Sequence, residues 1–252
     1  MKNMKKTAFL VPAVLLLAAA AWALRRELYA VAVDEKNLLV ANHPLELALW
    51  AVVLAGTALI GLTVRKLDGS CVYEDNFQPS ALAGLGHFLM AYAIGMMVLL
   101  NDFQGSDRIA LIQRVLGIVA VPGLLWGGIS RMRGKKPFFL IHGVLCLFLL
   151  LNIISRYQSW SGNPQLQDYV FELLAAVALI LFSYHCAAFE AGIGKRRGLL
   201  AAGLLAVLLC GGALADAENP GLYAGGAVLA MTNLCRLDPP PKKVEVDSHD
   251  PA

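Results

Sequence analysis

The sequence predicts an all-α, polytopic integral membrane protein: a bundle of about eight transmembrane helices with both termini on the cytoplasmic side. Three observations carry that prediction. Of the 252 residues, 58% are hydrophobic and only 15% are charged, with mean hydropathy +0.62, whereas soluble domains sit near 45–50% apolar and about 25% charged. The apolar residues fall in continuous blocks of roughly twenty, the length that crosses about 30 Å of hydrocarbon at about 1.5 Å per residue. They do not alternate in ten-residue strands, which sets aside a β-barrel, and backbone groups in lipid must pair internally, which leaves helices. The third observation is that charge is sorted between alternate connecting segments.

In chain order, the spans are expected at 7–24, 45–64, 81–100, 109–130, 138–154, 170–189, 198–215 and 221–235. The first follows the basic start Lys2, Lys5 and Lys6. Ala21-Trp22-Ala23 resembles a signal-peptide cleavage site, but Arg25 and Arg26 directly after it favour an uncleaved signal-anchor. Residues 27–44 mix charged and apolar side chains and read as an interfacial segment. Asp68-Gly69 marks a turn before the third span, and Pro122 is expected to kink the fourth. Residues 1–235 thus form one transmembrane domain. Residues 236–252, with Pro239-Pro240-Pro241, read as a disordered cytoplasmic tail.

Eight spans place fifteen Lys and Arg on one side, in 2–6, 65–66, 131–136, 195–197 and 236–243. The other side holds five, Arg25, Arg26, Lys36, Arg108 and Arg156, and Arg114 falls inside the fourth span. The fifteen-residue side is therefore cytoplasmic, and the expected location is the cell membrane. None of the five cysteines falls in an outer loop, in keeping with reduced thiols on the inner side.

Small residues recur at helical spacing: Ala48, Ala51, Ala55 and Ala58; Gly84, His87, Ala91 and Gly95; Gly203, Ala206, Cys210 and Ala213; and Gly221-x-x-x-Gly225. Helices in lipid associate through close backbone approach, so these faces are expected to pack the bundle, and a homo- or hetero-oligomer through such a face is the expected partner besides the bilayer.

Residues 138–189 carry the densest set of chemically capable side chains. His87, His142 and His185 all fall within about 10 Å of the inner interface. Cys146 shares a face with His142 at i,i+4, and Cys186 adjoins His185. Imidazole with thiolate suits zinc, copper or haem iron, so His87, His142, Cys146, His185 and Cys186 form a candidate intramembrane polar site, for a metal, a haem or a proton relay. The structural alternative is neutral histidines bonded to carbonyls or headgroups. Along the sixth span, Glu172, Ala176, Leu179, Ser183, Cys186 and Glu190 recur every three or four residues and form a polar stripe. Arg114 is expected either to snorkel to the outer headgroups or to pair with Glu172 at similar depth. Residues 157–165, with Tyr157, Trp160 and several amides, read as belt anchors or a sugar- or peptide-recognition loop.

No P-loop, Rossmann glycine pattern or GxSxG elbow is present, and the basic residues are topogenic, so nucleic acid is not an expected partner. The leading expectation is a non-enzymatic membrane protein that passes a small solute or serves as the membrane subunit of an assembly. The alternative is a haem- or metal-binding redox protein, and a weaker one is an enzyme acting on a lipid-linked substrate.

Overall fold

The computed structural model describes residues 2–32, 43–65, 72–103, 106–160, 169–235 and 237. Most of the expected tail, the outer loop from 161 to 168, the stretch 33–42, the Asp68-Gly69 turn and Cys71 lie outside the described residues. Within them the chain is helical: α1 Lys2–Val31, α2 Pro44–Val64, α3 Ala81–Leu100, α4 Asp107–Met132, α5 Leu140–Trp160, α6 Val170–Glu190, α7 Arg196–Ala213 and α8 Pro220–Leu234. Six of these, α2 through α7, are long and apolar enough to cross a membrane. The chain is a helical membrane protein.

Two boundaries differ from the expected spans in ways that matter. The first helix continues past Arg25 and Arg26 to Val31, and the fifth extends to Trp160 rather than ending at 154. Helix ends are set by local chemistry elsewhere. His43 accepts from Leu45 N–H at 3.3 Å ahead of Pro44 in the first turn of α2. Ser80 Oγ accepts from Ala83 N–H at 3.2 Å to cap α3. Asn101 takes the left-handed conformation, φ 53°, that ends α3.

The helices α3, α4, α5, α6 and α8 close a ring by successive neighbour contacts, and α7 packs across α6 and α8 and joins them to α1 and α2. Small residues set these approaches. A Cβ added at Gly211 of α7 would lie 2.7–3.0 Å from Ala18 Cβ, O and Cα of α1. One at Gly225 of α8 would lie 3.2 Å from Met90 Cα of α3, and one at Gly86 would strike Thr232 Oγ1 with Leu229 Cα at 3.1 Å. Gly225 is thus engaged inside the chain by α3. On α2 the alanine face points the other way: Ala51, Ala55 and Ala58 are exposed, while Leu49, Val53, Gly56, Ile60 and Val64 are buried. The α2 contact with α1 and α7 is made by branched side chains around a single glycine.

One end of the ring is covered by the segment between α2 and α3. Tyr73, Asn76 and Phe77 are buried there. Arg131 Nη1 donates to Tyr73 Oη at 3.1 Å, its guanidinium lies 4.5 Å over the Phe77 ring, and Arg196 Nη1 donates to Asn76 Oδ1 at 2.9 Å. Phe77 meets Phe189 edge-on at 5.4 Å and forms a β-bridge with Leu237. We refer to this as the Arg131 end, and to the other as the Arg156 end.

Candidate functional site: two facing stripes on antiparallel helices

All six positions of the α6 stripe are buried: Glu172, Ala176, Leu179, Ser183, Cys186 and Glu190. The facing helix α5 carries a stripe of its own. His142, Leu145, Leu149, Asn152 and Arg156 recur at three, four, three and four residues and are all buried. Because α5 and α6 run antiparallel, the two stripes place a base against an acid at each end. His142 Nδ1 lies 2.8 Å from Glu190 Oε1, both side chains about 3% exposed. Arg156 Nη1 lies 3.9 Å from Glu172 Oε2 at 3% and 2% exposure.

At the Arg131 end the cluster continues to α3. The rings of His87 and His142 stand edge to face, 5.4 Å between centroids at 78°. His87 Nδ1 lies 2.7 Å from Ala83 O. A carbonyl only accepts, so Nδ1 carries the hydrogen and Nε2 is left as a basic acceptor. His87 Nε2 and His142 Nε2 are buried and have no hydrogen-bond partner among the described residues. The 2.8 Å approach of His142 Nδ1 to Glu190 does not meet hydrogen-bond geometry either, so the two side chains stand in close contact without an aligned hydrogen bond. Tyr73, Phe77, Arg131, Cys186 and Asn233 complete the lining of a cavity of about 10 Å³, the scale of one water. Gly127 on α4 gives His87 its place, since an added Cβ there would sit 3.3 Å from the ring. Outside the spans, burial pushes the Tyr73 phenol up to about 12, with the nearby Arg131 charge drawing it partly back.

At the Arg156 end the turn between α7 and α8 completes the cluster. Arg156 donates to Glu218 Oε2, and Glu218 N–H donates to Glu172 Oε1 at 3.1 Å. Arg25 of α1 meets Asp216 Oδ2 at 2.5 Å and stacks 4.4 Å over Phe171. Between the two ends Gln113 Nε2 of α4 donates to Asn152 Oδ1 at 3.0 Å, buried, and Ser183 Oγ, Gln113 Oε1 and Asn152 Nδ2 have no partner among the described residues. Leaving buried polar atoms unpaired costs about 1–3 kcal/mol each.

Of the residues expected to form one polar site, the structure brings together His87, His142 and Cys186. His185 is turned away and half-buried: its ring packs where a side chain at Gly198 of α7 would stand, beside Tyr184. Cys146 directs its thiol to Ile180 O at 3.5 Å. Among the described residues no group of three or more His, Cys, Asp or Glu is placed to hold a metal ion. The Arg114–Glu172 pairing is replaced: Arg114 is exposed on α4, and Arg156 is the base beside Glu172. Arg156 falls two residues beyond the expected end of the fifth span at 154, yet its spacing from His142 and Asn152 puts it on their helical face.

No protein-family model, no curated protein and no solved structure matches the chain. Fold and site define the class without them: a polytopic helical membrane protein with a buried acid–base pair at each end of one helix pair.

Proposed function

We propose that this protein passes a small solute across the cell membrane, and that the solute it handles is the proton. One observation carries the reading. A continuous buried face of α6 bears a carboxylate at each end, and each carboxylate stands against a base of α5. Ionisable groups inside a membrane are expensive, and facing the bundle interior they are characteristic of ion and proton paths. The Glu190–His142 pair can hold one proton on either partner, and the bare Nε2 atoms of His142 and His87 extend the acceptors across to α3. Asn152, Gln113 and Ser183 supply further polar groups between the ends. Leu179, Phe148 and Ile94 close the middle, so conduction requires those side chains to yield and the Tyr73–Ser80 segment to move from the Arg131 end.

In this reading the Arg131 end faces the cytoplasm, on the strength of fifteen basic residues against five. The test is proton entry into liposomes that carry the purified protein and an internal pH dye, driven by an inside-negative potassium diffusion potential. Wild-type protein should acidify the lumen faster than protein-free vesicles do. Glu190→Gln should return the rate to the protein-free level, and Arg108→Ala, at an exposed site, should leave it unchanged. Wild-type vesicles that acidify no faster than empty ones would refute the proposal.

A further inference from the structure

A cavity lies away from the α5–α6 stripes. It is a wedge of about 330 Å³ between α3 and α8, at the Arg156 end. Its origin is visible in the glycines. At Gly86 and Gly225 the two helices touch backbone to backbone. One turn further, at Gly221, an added Cβ would meet, among the described residues and outside its own helix backbone, just Asn219 Oδ1 at 3.8 Å. The helices therefore diverge, and Met96, Ala224 and Val228 line the gap between them. Its rim includes Tyr92 and Leu100, 66% and 70% exposed on a helix apolar enough to span a membrane.

We infer that this wedge holds one phospholipid with a primary ammonium headgroup, its acyl chain along α3 and its ammonium at Asp102. The apolar length fits: the eleven steps from Leu89 to Leu100 rise about 16 Å, half of the roughly 30 Å hydrocarbon core, which is one leaflet's chain. The width fits a single chain and not a helix about 10 Å across, since the walls are in contact at one end. The polar end fixes the headgroup. Asn219 Nδ2 donates to Asp102 Oδ2 at 2.9 Å, and both residues line the wedge. Asp102 Oδ1 has no hydrogen-bond partner among the described residues. A carboxylate there attracts the ammonium of a zwitterionic headgroup and repels a net-anionic headgroup, and a charge-assisted hydrogen bond requires N–H donors, which ethanolamine has and choline lacks.

The test is native mass spectrometry of the detergent-purified chain equilibrated with equimolar phosphatidylethanolamine, phosphatidylcholine and phosphatidylglycerol of matched acyl chains. One phosphatidylethanolamine should be retained per chain, favoured about fivefold or more, the scale of one charge-assisted contact near water. Gly221→Leu, which projects into open space within the wedge, should lose it, and so should Ala224→Phe. Asp102→Asn should keep a lipid but lose the headgroup preference. The inference is overturned if no lipid is retained, if both filling variants bind as wild type does, or if phosphatidylcholine or phosphatidylglycerol is held as tightly. It is equally overturned if the wedge proves to be a contact between two copies, seen as a dimer that Gly221→Leu dissociates.

Discussion

Arg156 is the side chain whose loss should cost the bundle most. It touches two carboxylates of different standing. Glu218 is 38% exposed, so its share of the interaction is screened and worth roughly 0.5 kcal/mol. Glu172 is 2% exposed, and removing Arg156 leaves it facing only Glu218 N–H and the Tyr223 hydroxyl. Breaking a buried pair by deleting one partner costs about 3–5 kcal/mol, because the remaining charge is stranded. Arg156→Met retains the apolar stem, so the loss reports charge and not packing. We expect about 3 kcal/mol, which at roughly 2–4 °C per kcal/mol for a chain of this size lowers the midpoint by about 6–12 °C. The assay is thermal unfolding in mild detergent, followed by circular dichroism. Arg114→Met, at an exposed site on α4, is the control and should change the midpoint little. The double variant Arg156→Met, Glu172→Gln should recover most of the loss, since the stranded charge is then gone. If Arg156→Met is as mild as Arg114→Met, or the double variant is no better than the single, the pairing is wrong.

Three further outcomes follow from the same geometry. Gly211→Ala pushes a methyl into the Ala18 backbone and should lower the unfolding midpoint by several degrees, the scale of about 1–3 kcal/mol of overpacking, whereas Gly61→Ala, with open space around it, should be neutral or stabilising. Tyr73 titrates late because it is buried: a raised phenol favours the neutral folded form, so its contribution is complete below the unfolded value near 10 and is lost as pH rises toward about 12. The wild-type minus Tyr73→Phe absorbance difference at 295 nm should therefore rise only near pH 12, and a midpoint near 10 would show the phenol exposed. For topology, Asp107→Cys, at the first residue of α4, and Gly134→Cys, just past its last, sit at opposite ends of the helix. In a background lacking Cys71 and Cys235, an impermeant maleimide on intact cells should label Asp107→Cys alone, and the reverse pattern would invert the orientation.

The blocks of apolar sequence located every helix, because a span must be long and continuous to cross hydrocarbon. The inward face of α6 was also legible, since polar residues at three- and four-residue spacing have only one interior to share. What could not be read was rotation wherever a helix offers apolar residues on all sides. On α2, alanines and leucines are equally at home in lipid, so the small face gave no sign that it points outward. His185 is one residue from Cys186 and about 100° around the helix from it, which is enough to carry it from the cavity to α7. The α5 stripe is hidden for a different reason: Arg156 follows the apolar block that ends at 154, and its partners Glu172 and Glu218 lie 16 and 62 residues further along the chain.

The claim that the buried face of α6 is the path is tested most directly by the reactivity of Ser183 replaced by cysteine. Ser183 is 1% exposed, midway along the stripe, with a hydroxyl that has no partner. Leu181→Cys, on the exposed side of the same helix, is the matched control, both in a background where Cys71, Cys146, Cys186, Cys210 and Cys235 are alanine. In proteoliposomes held at the driving potential, a small cationic methanethiosulfonate should modify Ser183→Cys and block proton entry, while Leu181→Cys carries on unblocked. Proton entry that persists with Ser183→Cys unmodified after prolonged exposure would contradict the account, because the proton would then be crossing somewhere else.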